Sequence, residues 1–308
     1  MMLIFHSESS AGHVTPPGHP ESAARVEAAL RGARSVAAQW RDCPAGSEAA
    51  MLRAHGAPHL ARVKAAAPRT GWAQLDGDTF MSQGSLGAAL AAVGGACAAV
   101  EAVLGGPDPR AFVITRPPGH HATRDQSMGF CLFSTVAIAA LHALEQGGLS
   151  RVAIVDFDVH HGNGTQDILW DEGRVRFFST HQSPLYPGSG AAHEGGALGQ
   201  ITNIPLRAQS GSAAMRAAYE GHVFPMLRAY APELILLSAG FDAHQDDPLG
   251  GLAWRTDDYA WLTQGICRIA DEVCAGRVVS CLEGGYDLDA LTASVAAHVK
   301  AMAGGSDE

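Results

Sequence analysis

The chain is poor in cysteine, and none of its six cysteines, scattered over 308 residues, forms a CxxC pair with another. In a chain of this length such spacing argues against a disulfide framework and indicates buried, reduced thiols. The sequence also lacks a basic start followed by an apolar run, so no secretory signal peptide is expected. We therefore predict a cytoplasmic protein.

The chain also lacks an excess of basic residues. Lys and Arg number 21 against 31 Asp and Glu, which argues against direct nucleic-acid binding because such binding relies on basic patches. The most apolar long stretch, residues 87–106, is rich in Ala and Gly and carries Glu101, which is more typical of a packed core helix than of a membrane span. Neither nucleic acid nor a membrane is an expected partner, whereas a homo-oligomer stays open.

Short apolar runs alternate along the chain with Ala-rich helical stretches. The runs lack polar alternation, which favours parallel strands covered on both faces, and we predict strands at residues 2–5, 111–115, 152–157, 175–179, 234–238 and 277–282. Helices are predicted at residues 21–31, 82–104, 135–146, 213–229, 256–275 and 290–303. We expect residues 1–308 to form a single α/β domain, with functional sites at the carboxyl ends of its strands.

The segment DFDVHHGNG follows one predicted strand. If that strand stays extended, Asp156, Asp158 and His160 lie on one face because they are spaced by two. A lone DxD is usually part of a solvated loop, but here the preceding VAIV run draws the two carboxylates toward buried backbone. Buried carboxylates need a cation or hydrogen-bond donors, so the segment predicts half of a metal site.

The segment SAGFDAHQDDPLGG follows another predicted strand and supplies Asp242 at its carboxyl end. Together with Asp158 and His160 it gives two carboxylates and one imidazole, which leaves a coordination position for water and substrate. Three protein ligands and one open position are typical of catalytic zinc. The ligand set by itself also admits iron(II), cobalt or manganese.

Two further segments carry candidate catalytic side chains. In RPPGHHA, His120 and His121 stand in a turn fixed by prolines and a glycine, as either a placed acid/base pair or part of a surface loop. In LEGGYD, Tyr286 follows two glycines that let backbone approach a cleft, where its hydroxyl can donate to a developing oxyanion. The GGY sequence alone is also a common turn.

Taken together, these segments resemble the class II branch of the histone deacetylase family. The resemblance covers nearly the whole chain from HPES at residues 19–22 onward and includes GFC at residues 129–131, all in the order of the family pattern. It implies an arginase-like α/β fold with a central, mostly parallel sheet of about eight strands and helices on both faces. It further implies zinc-dependent removal of acetyl groups from acylated amines.

The resemblance assigns catalytic roles to five side chains. It implies that His121 is the general base and that His120, oriented by Asp156, is its electrostatic partner. Tyr286 is the implied oxyanion donor, where weakly active class IIa members carry histidine. Asn163 stands where class I members carry an aspartate, so it can orient His121 but supplies no charge.

The resemblance also implies two ion sites. The implied zinc ligands are Asp158, His160 and Asp242, with Fe²⁺ or Co²⁺ as alternative metals. The implied structural potassium site draws on side chains and backbone of five residues. They are Asp156, Asp158, His160, Ser179 and Thr180.

A narrow channel for an acyl-lysine-like stem completes the implied site. Its implied lining is Gly129, Phe130, Tyr186 and Leu249, and the sequence does not decide which of Asp76, Asp78 or Ser82 anchors the substrate at the rim. A polyamine-selective class II enzyme carries, at the position of Leu249, a glutamate that would bind a second ammonium group of the substrate. Leu249 cannot do so, and this difference favours acetyl-lysine as the substrate of this chain. Acetylated polyamines remain the alternative, and a non-catalytic acetyl-lysine binder and a binuclear manganese ureohydrolase are remote ones.

Overall fold

The computed structural model describes residues 2–304, so the predicted bounds of the domain at Met1 and at residues 305–308 lie outside the described residues. Ten strands occur in this part of the chain. They are β1 Met2–His6, β2 Ala38–Asp42, β3 Ala73–Gln74, β4 Phe80–Met81, β5 Arg110–Ile114, β6 Val152–Asp156, β7 Val175–Gln182, β8 Ile201–Leu206, β9 Leu234–Ala239 and β10 Val278–Leu282.

Ten α-helices connect and cover these strands within residues 2–304. They are α1 Ala24–Ala33, α2 Glu48–Ala54, α3 Ala57–Ala66, α4 Ser85–Gly105, α5 Thr135–Glu145, α6 Asn163–Ile168, α7 Ser212–Ala218, α8 Phe224–Tyr230, α9 Thr256–Val273 and α10 Leu288–Met302. A 3-10 helix, Glu8–Gly12, follows β1, and a π-helical turn, Tyr219–Val223, joins α7 to α8.

Eight of the strands form one sheet in which every neighbouring pair is parallel, in the order β2-β1-β5-β10-β9-β6-β7-β8. Strands β3 and β4 form a separate antiparallel pair. One hydrophobic core lies between the sheet and α1, α9 and α10, and a second lies between the opposite face and α4 and α5. The predicted mostly parallel α/β sheet of about eight strands, with helices on both faces, is confirmed.

The most apolar helix, α4, belongs to the second core. By length and composition it could cross a membrane, but 67% of its apolar 18-residue stretch is buried inside the fold. Its Ala and Gly residues allow close approach to neighbours, as at Gly94, where an added Cβ atom would clash with the carbonyl oxygen of Pro44. The expectation of a packed core helix is therefore confirmed, whereas the cytoplasmic location remains a prediction.

All six predicted strands are present, with small shifts at their ends, but the two edge strands, β2 and β8, and the short β3–β4 pair were not predicted. Strand β2 has the sequence AQWRD and is mostly exposed, so it carries no apolar pattern from which it could be recognised. The helix predicted over residues 213–229 is interrupted by the π-helical turn. The premise that β6 stays extended through His160 was wrong, because the strand ends at Asp156 and the chain then bends.

The sheet order explains how distant segments meet. Strands β5, β10, β9 and β6 are consecutive neighbours, and parallel strands end at the same edge of the sheet. The loops after them contain RPPGHH, EGGY, GFD and FDVHHGN, respectively. All four segments that contain candidate catalytic or metal-binding residues therefore lie at one edge of the sheet, where open α/β sheets place their functional sites.

Candidate metal centre and active site

Three predicted ligands meet at the carboxyl edge of the sheet. The Nδ1 atom of His160 lies 3.1 Å from Oδ1 of Asp158 and 3.2 Å from Oδ2 of Asp242. One donor atom from each residue lies within 4.8 Å of the other two, and all three side chains are buried. The bend after β6, rather than strand alternation, turns His160 back toward Asp158.

Backbone groups fix the orientation of both carboxylates. The amide of Val159 donates to Oδ1 of Asp242 at 2.8 Å, and the amide of Gly284 donates to Oδ2 of Asp158 at 2.8 Å. A Cβ atom at Gly284 would lie 2.6 Å from Oδ2 of Asp158 and would also clash with Asp242. Only glycine permits this approach, which explains one glycine of the EGGY segment.

The arrangement fits a small divalent cation such as zinc. Metal–ligand bonds of about 2.0–2.1 Å in tetrahedral geometry place donor atoms about 3.3 Å apart, close to the 3.1 and 3.2 Å separations seen here. Two carboxylates and one imidazole are ordinary zinc donors. Burial raises the pKa of Asp242 to about 7, and repulsion from the nearby carboxylate of Asp158 adds to the shift, as expected where a cation is needed to balance charge.

The paired histidines lie beside this cluster, each held by its Nδ1 atom. That atom of His120 lies 3.0 Å from Oδ2 of Asp156, and that of His121 lies 2.7 Å from Oδ1 of Asn163. The two imidazole centroids are 4.0 Å apart, and the ring of His121 lies 5.9 Å from that of His160. One histidine is thus partnered by a carboxylate and its neighbour by a neutral amide.

The surroundings of the two histidines shift their pKa values in opposite directions. Burial opposes charge on His120, but the carboxylates of Asp158 and Asp156 outweigh it and raise its pKa well above the usual range. Burial lowers the pKa of His121 well below the usual range, and the neighbouring His120 and His160 add to the effect. The pair therefore consists of one charged and one neutral imidazole.

Tyr286 is held from three directions. Its backbone amide donates to Oδ2 of Asp247 at 2.7 Å, its ring lies 5.9 Å from that of Phe130, and the guanidinium carbon of Arg25 lies 4.8 Å from the ring centroid. Burial raises the pKa of its hydroxyl well above the usual range, although Arg25 opposes the shift. The hydroxyl therefore keeps its proton and can act as a hydrogen-bond donor.

A cavity of about 250 Å³ opens onto the cluster. It is lined by Asp78, His121, Gly129, Phe130, His160, Leu185, Tyr186, Leu249 and Tyr286. All four residues predicted for the channel line this cavity, together with the candidate base, one candidate ligand and the tyrosine. Leu185 also lines it and was not predicted.

The structure distinguishes among the three residues considered as substrate anchors at the rim of the channel. Asp78 lines the cavity, whereas Asp76 lines a neighbouring surface groove. The hydroxyl of Ser82 accepts from the amide of Val14 at 2.9 Å and donates to the carbonyl of Gly12 at 3.0 Å, so it ties two segments together. Of the three rim candidates, Asp78 is the one in reach of a molecule in the cavity.

Of the five residues predicted for the potassium site, the three that belong to strands divide between two faces of the sheet. Asp156 and Ser179 are register partners on β6 and β7. The hydroxyl of Thr180 lies 2.8 Å from the hydroxyl of Tyr219, on the opposite face because side chains alternate along a strand. Thr180 can therefore face the predicted site only through its backbone.

A buried ionic cluster behind Tyr286 was missed. Glu21 is ion-paired with Arg25 and with Arg116, and all three side chains have no exposed surface. Arg25 also donates to the carbonyls of Gly285 at 2.6 Å and Glu283 at 2.5 Å. Glu21 belongs to the HPES segment, but nothing in a single sequence indicates that its charge is buried beside the site.

A second missed network secures the wall that carries Tyr186. His161 lies 2.8 Å from the hydroxyl of Ser189 and 3.0 Å from the amide oxygen of Gln166. Gln166 in turn donates to Glu194 at 2.7 Å. The second histidine of the DVHHG segment therefore holds the loop after β7 and does not face the cavity.

Comparison with known proteins places this arrangement among related ones. A family described as "Histone deacetylase domain" matches residues 19–302. Histone deacetylase 10, chloroplastic, of Oryza sativa subsp. japonica is 43% identical over 236 residues, 74% of this chain and 53% of that protein. The histone deacetylase-like amidohydrolase of Pseudomonas aeruginosa is 37% identical over 286 residues, 89% of this chain and 75% of that protein.

The likeness extends to three-dimensional structure. The crystal structure of the HDA15 HD domain superimposes with a TM-score of 0.93 at 30% identity, covering 98% of this chain and 88% of that one. The chain spans about half the length of the rice protein, so the match concerns the part that the two share.

Proposed function

This chain belongs to the histone deacetylase family, and we propose that it is a zinc-dependent amidohydrolase that removes acetyl groups from acylated amines. The observation that carries the proposal is the meeting of Asp158, His160 and Asp242 beside His121 and Tyr286 on one cavity. Three metal donors, a neutral imidazole and a protonated phenol are the groups that metal-assisted amide hydrolysis needs for activating water, transferring protons and stabilising the oxyanion.

Asp158, His160 and Asp242 would hold the metal. When bound, zinc polarises the amide carbonyl and makes a water molecule more acidic. Three protein donors leave room for water and substrate, and His160 itself lines the cavity. Two carboxylates and one imidazole are a donor set that zinc commonly takes.

His121 carries the protons in this proposal. The amide oxygen of Asn163 accepts from Nδ1–H of His121 at 2.7 Å, which leaves Nε2 free to take a proton from water. The water oxygen first bonds to the carbonyl carbon as the C=O π bond opens; His121 then passes that proton to the amide nitrogen as the C–N bond breaks and the C=O bond re-forms. The second proton of the water passes from the new carboxyl group to the amine, so the products are acetate and the protonated amine, and His121 returns to its neutral form.

His120 supplies a fixed positive charge next to this transfer. Its Nδ1–H donates to Asp156 at 3.0 Å, and Asp156 is wholly buried. The pair is shielded from solvent, and inside the protein its charge acts more strongly on neighbouring groups than it would in water. We also propose a structural potassium ion beside Asp156 and Ser179 that would stabilise this buried acid.

Tyr286 would donate to the carbonyl oxygen as negative charge develops on it. Because that charge exists only in the transition state, the hydrogen bond raises turnover more than it improves substrate binding. Changing Tyr286 to Phe is expected to lower kcat by about 10²–10³-fold, with KM and bound zinc nearly unchanged. Steady-state kinetics together with metal analysis measures both, and a kcat within threefold of the wild type would contradict the assignment.

Acetyl-lysine side chains are the proposed substrates. Leu249 lines the cavity and provides no charge for a second ammonium, whereas Asp78 at the mouth can accept N–H groups from a peptide backbone. We expect acetyl-lysine peptides to exceed acetylspermidine in kcat/KM on zinc-loaded protein. The reverse ranking would favour the alternative, an acetylpolyamine amidohydrolase in which Asp78 binds the distal ammonium. Binding without turnover of any substrate would favour a non-catalytic acetyl-lysine binder.

A further inference from the structure

Glu283 is a buried acid for which the proposed reaction has no use. It follows β10 directly and is 1% exposed. One of its carboxylate oxygens, Oε2, accepts two backbone hydrogen bonds, from the amide of Gly119 at 2.6 Å and from the amide of His120 at 3.1 Å. The side chain therefore holds the turn that carries the paired histidines, although it touches neither imidazole.

The same turn is held from its other side. The carbonyl of His120 accepts from the amides of Gly164 at 3.0 Å and Thr165 at 3.1 Å, at the start of α6. At Gly119 a Cβ atom would lie 2.6 Å from the amide nitrogen of Thr135, so the turn is also packed against α5. With both its amide and its carbonyl bonded, His120 has a fixed backbone, and the directions of both imidazoles follow from it.

The second carboxylate oxygen, Oε1, indicates what chemistry this position needs. It lies 3.3 Å from the hydroxyl of Ser238. An amide in place of the carboxyl can keep all three contacts, because its oxygen accepts both backbone N–H groups and its nitrogen can donate to the Ser238 hydroxyl, which is the donor to the carboxylate in this structure. Burial raises the pKa of Glu283 to about 7, against the opposing effect of the positive charge on His120.

We propose that Glu283 is the positioning residue of the histidine pair, and that its reach and hydrogen bonding matter to turnover while its negative charge does not. This inference rests on the proposed function, since it concerns how that reaction is aligned. Without the acceptor, two buried backbone N–H groups lose their partner, and a shift of about 1 Å in a catalytic group can cost about 100-fold in rate.

Three variants distinguish the effect of the length and hydrogen bonding of the Glu283 side chain from the effect of its negative charge. Glu283→Gln keeps the reach and removes the charge, and we expect its kcat within threefold of the wild type. Glu283→Asp keeps the charge but is one methylene too short, and Glu283→Ala lacks the acceptor; for both we expect kcat to fall about 100-fold, with KM and bound zinc nearly unchanged. If the alanine variant does not fold, the order of the Gln and Asp variants still decides, because positioning requires Gln to be the faster enzyme.

Amide hydrogen exchange over residues 116–122 gives a readout that does not depend on catalysis. We expect the protection of this segment to be kept in Glu283→Gln and lost in Glu283→Asp. Val279→Ala, on the same strand and in the second hydrophobic core, is the matched control: it should lower the Tm without changing kcat or the exchange of the turn.

Two results would overturn the positioning role: a Glu283→Gln variant as slow as Glu283→Asp, or a Glu283→Asp variant with wild-type kcat. An inactive wild-type protein whose exchange pattern follows the expected order would instead refute the proposed function and leave the structural role of Glu283 in place.

Discussion

Replacing His121 with alanine is expected to lower kcat for an acetyl-lysine peptide by up to about 10⁴-fold, while zinc remains near one ion per chain. His121 lines the cavity and is oriented by Asn163 at 2.7 Å, but it is not among the three clustered metal donors. The variant should therefore lose proton transfer in both directions and keep the metal. Steady-state kinetics and metal analysis of the same preparation measure the two quantities.

A second histidine offers a matched control. His142 is also buried, but it lies on α5, where its Nε2 atom is 3.0 Å from Glu101, away from the cavity lining. His142→Ala should lower the Tm and leave kcat unchanged. Undiminished turnover in the His121 variant, or an equal loss in the His142 variant, would show that His121 is not the base.

Changing Asp242 to Asn is expected to remove both the metal and the activity. Its Oδ1 atom accepts from the amide of Val159, and its Oδ2 atom faces His160 at 3.2 Å, so the carboxylate is held in place as one of the three clustered donors. Loss of one of three charged or imidazole donors should weaken zinc binding by more than the 10–100-fold that is typical of outer-shell changes. Zinc titration with a competing chelator measures the affinity, and turnover at saturating zinc measures the remaining activity.

The control for this experiment stands four residues along the chain. Asp246 is exposed and lies 3.5 Å from His244, so Asp246→Asn makes the same chemical change outside the cluster and should alter neither zinc affinity nor kcat. Tight zinc binding by the Asp242 variant would contradict the ligand assignment, and full activity after complete chelation of the wild type would contradict a metal-dependent reaction.

The sequence predicted the sheet and the positions of its chemistry because both follow local rules. Buried parallel strands are continuous apolar runs, and side chains after such strands meet at one edge. Asp158, His160 and Asp242 could therefore be grouped although the last is far from the others in the chain. The detailed reason for grouping Asp158 with His160 was wrong, since it assumed an extended strand where the chain bends.

What the sequence did not predict depends on tertiary contacts. Strand β8 has an irregular burial pattern at the sheet edge, and its pairing with β7 decides its conformation. Glu283 and Asp247 are acids whose partners are backbone amides from distant loops, and sequence carries no signal for such partners. Arg25 likewise looks like a surface residue of an amphipathic helix until the structure places it under Tyr286.

The cluster of Glu21, Arg25 and Arg116 joins the amino-terminal segment to the loop that carries Tyr286. Changing Glu21 to Gln would keep every strand, every metal donor and both histidines, yet it would leave two guanidinium groups inside the protein without their carboxylate partner. Uncompensated buried charge is strongly destabilising, and here the strain would fall on the glycine loop before Tyr286. The loss of one charge at residue 21 should thus weaken a reaction centre whose metal donors lie more than a hundred residues further along the chain.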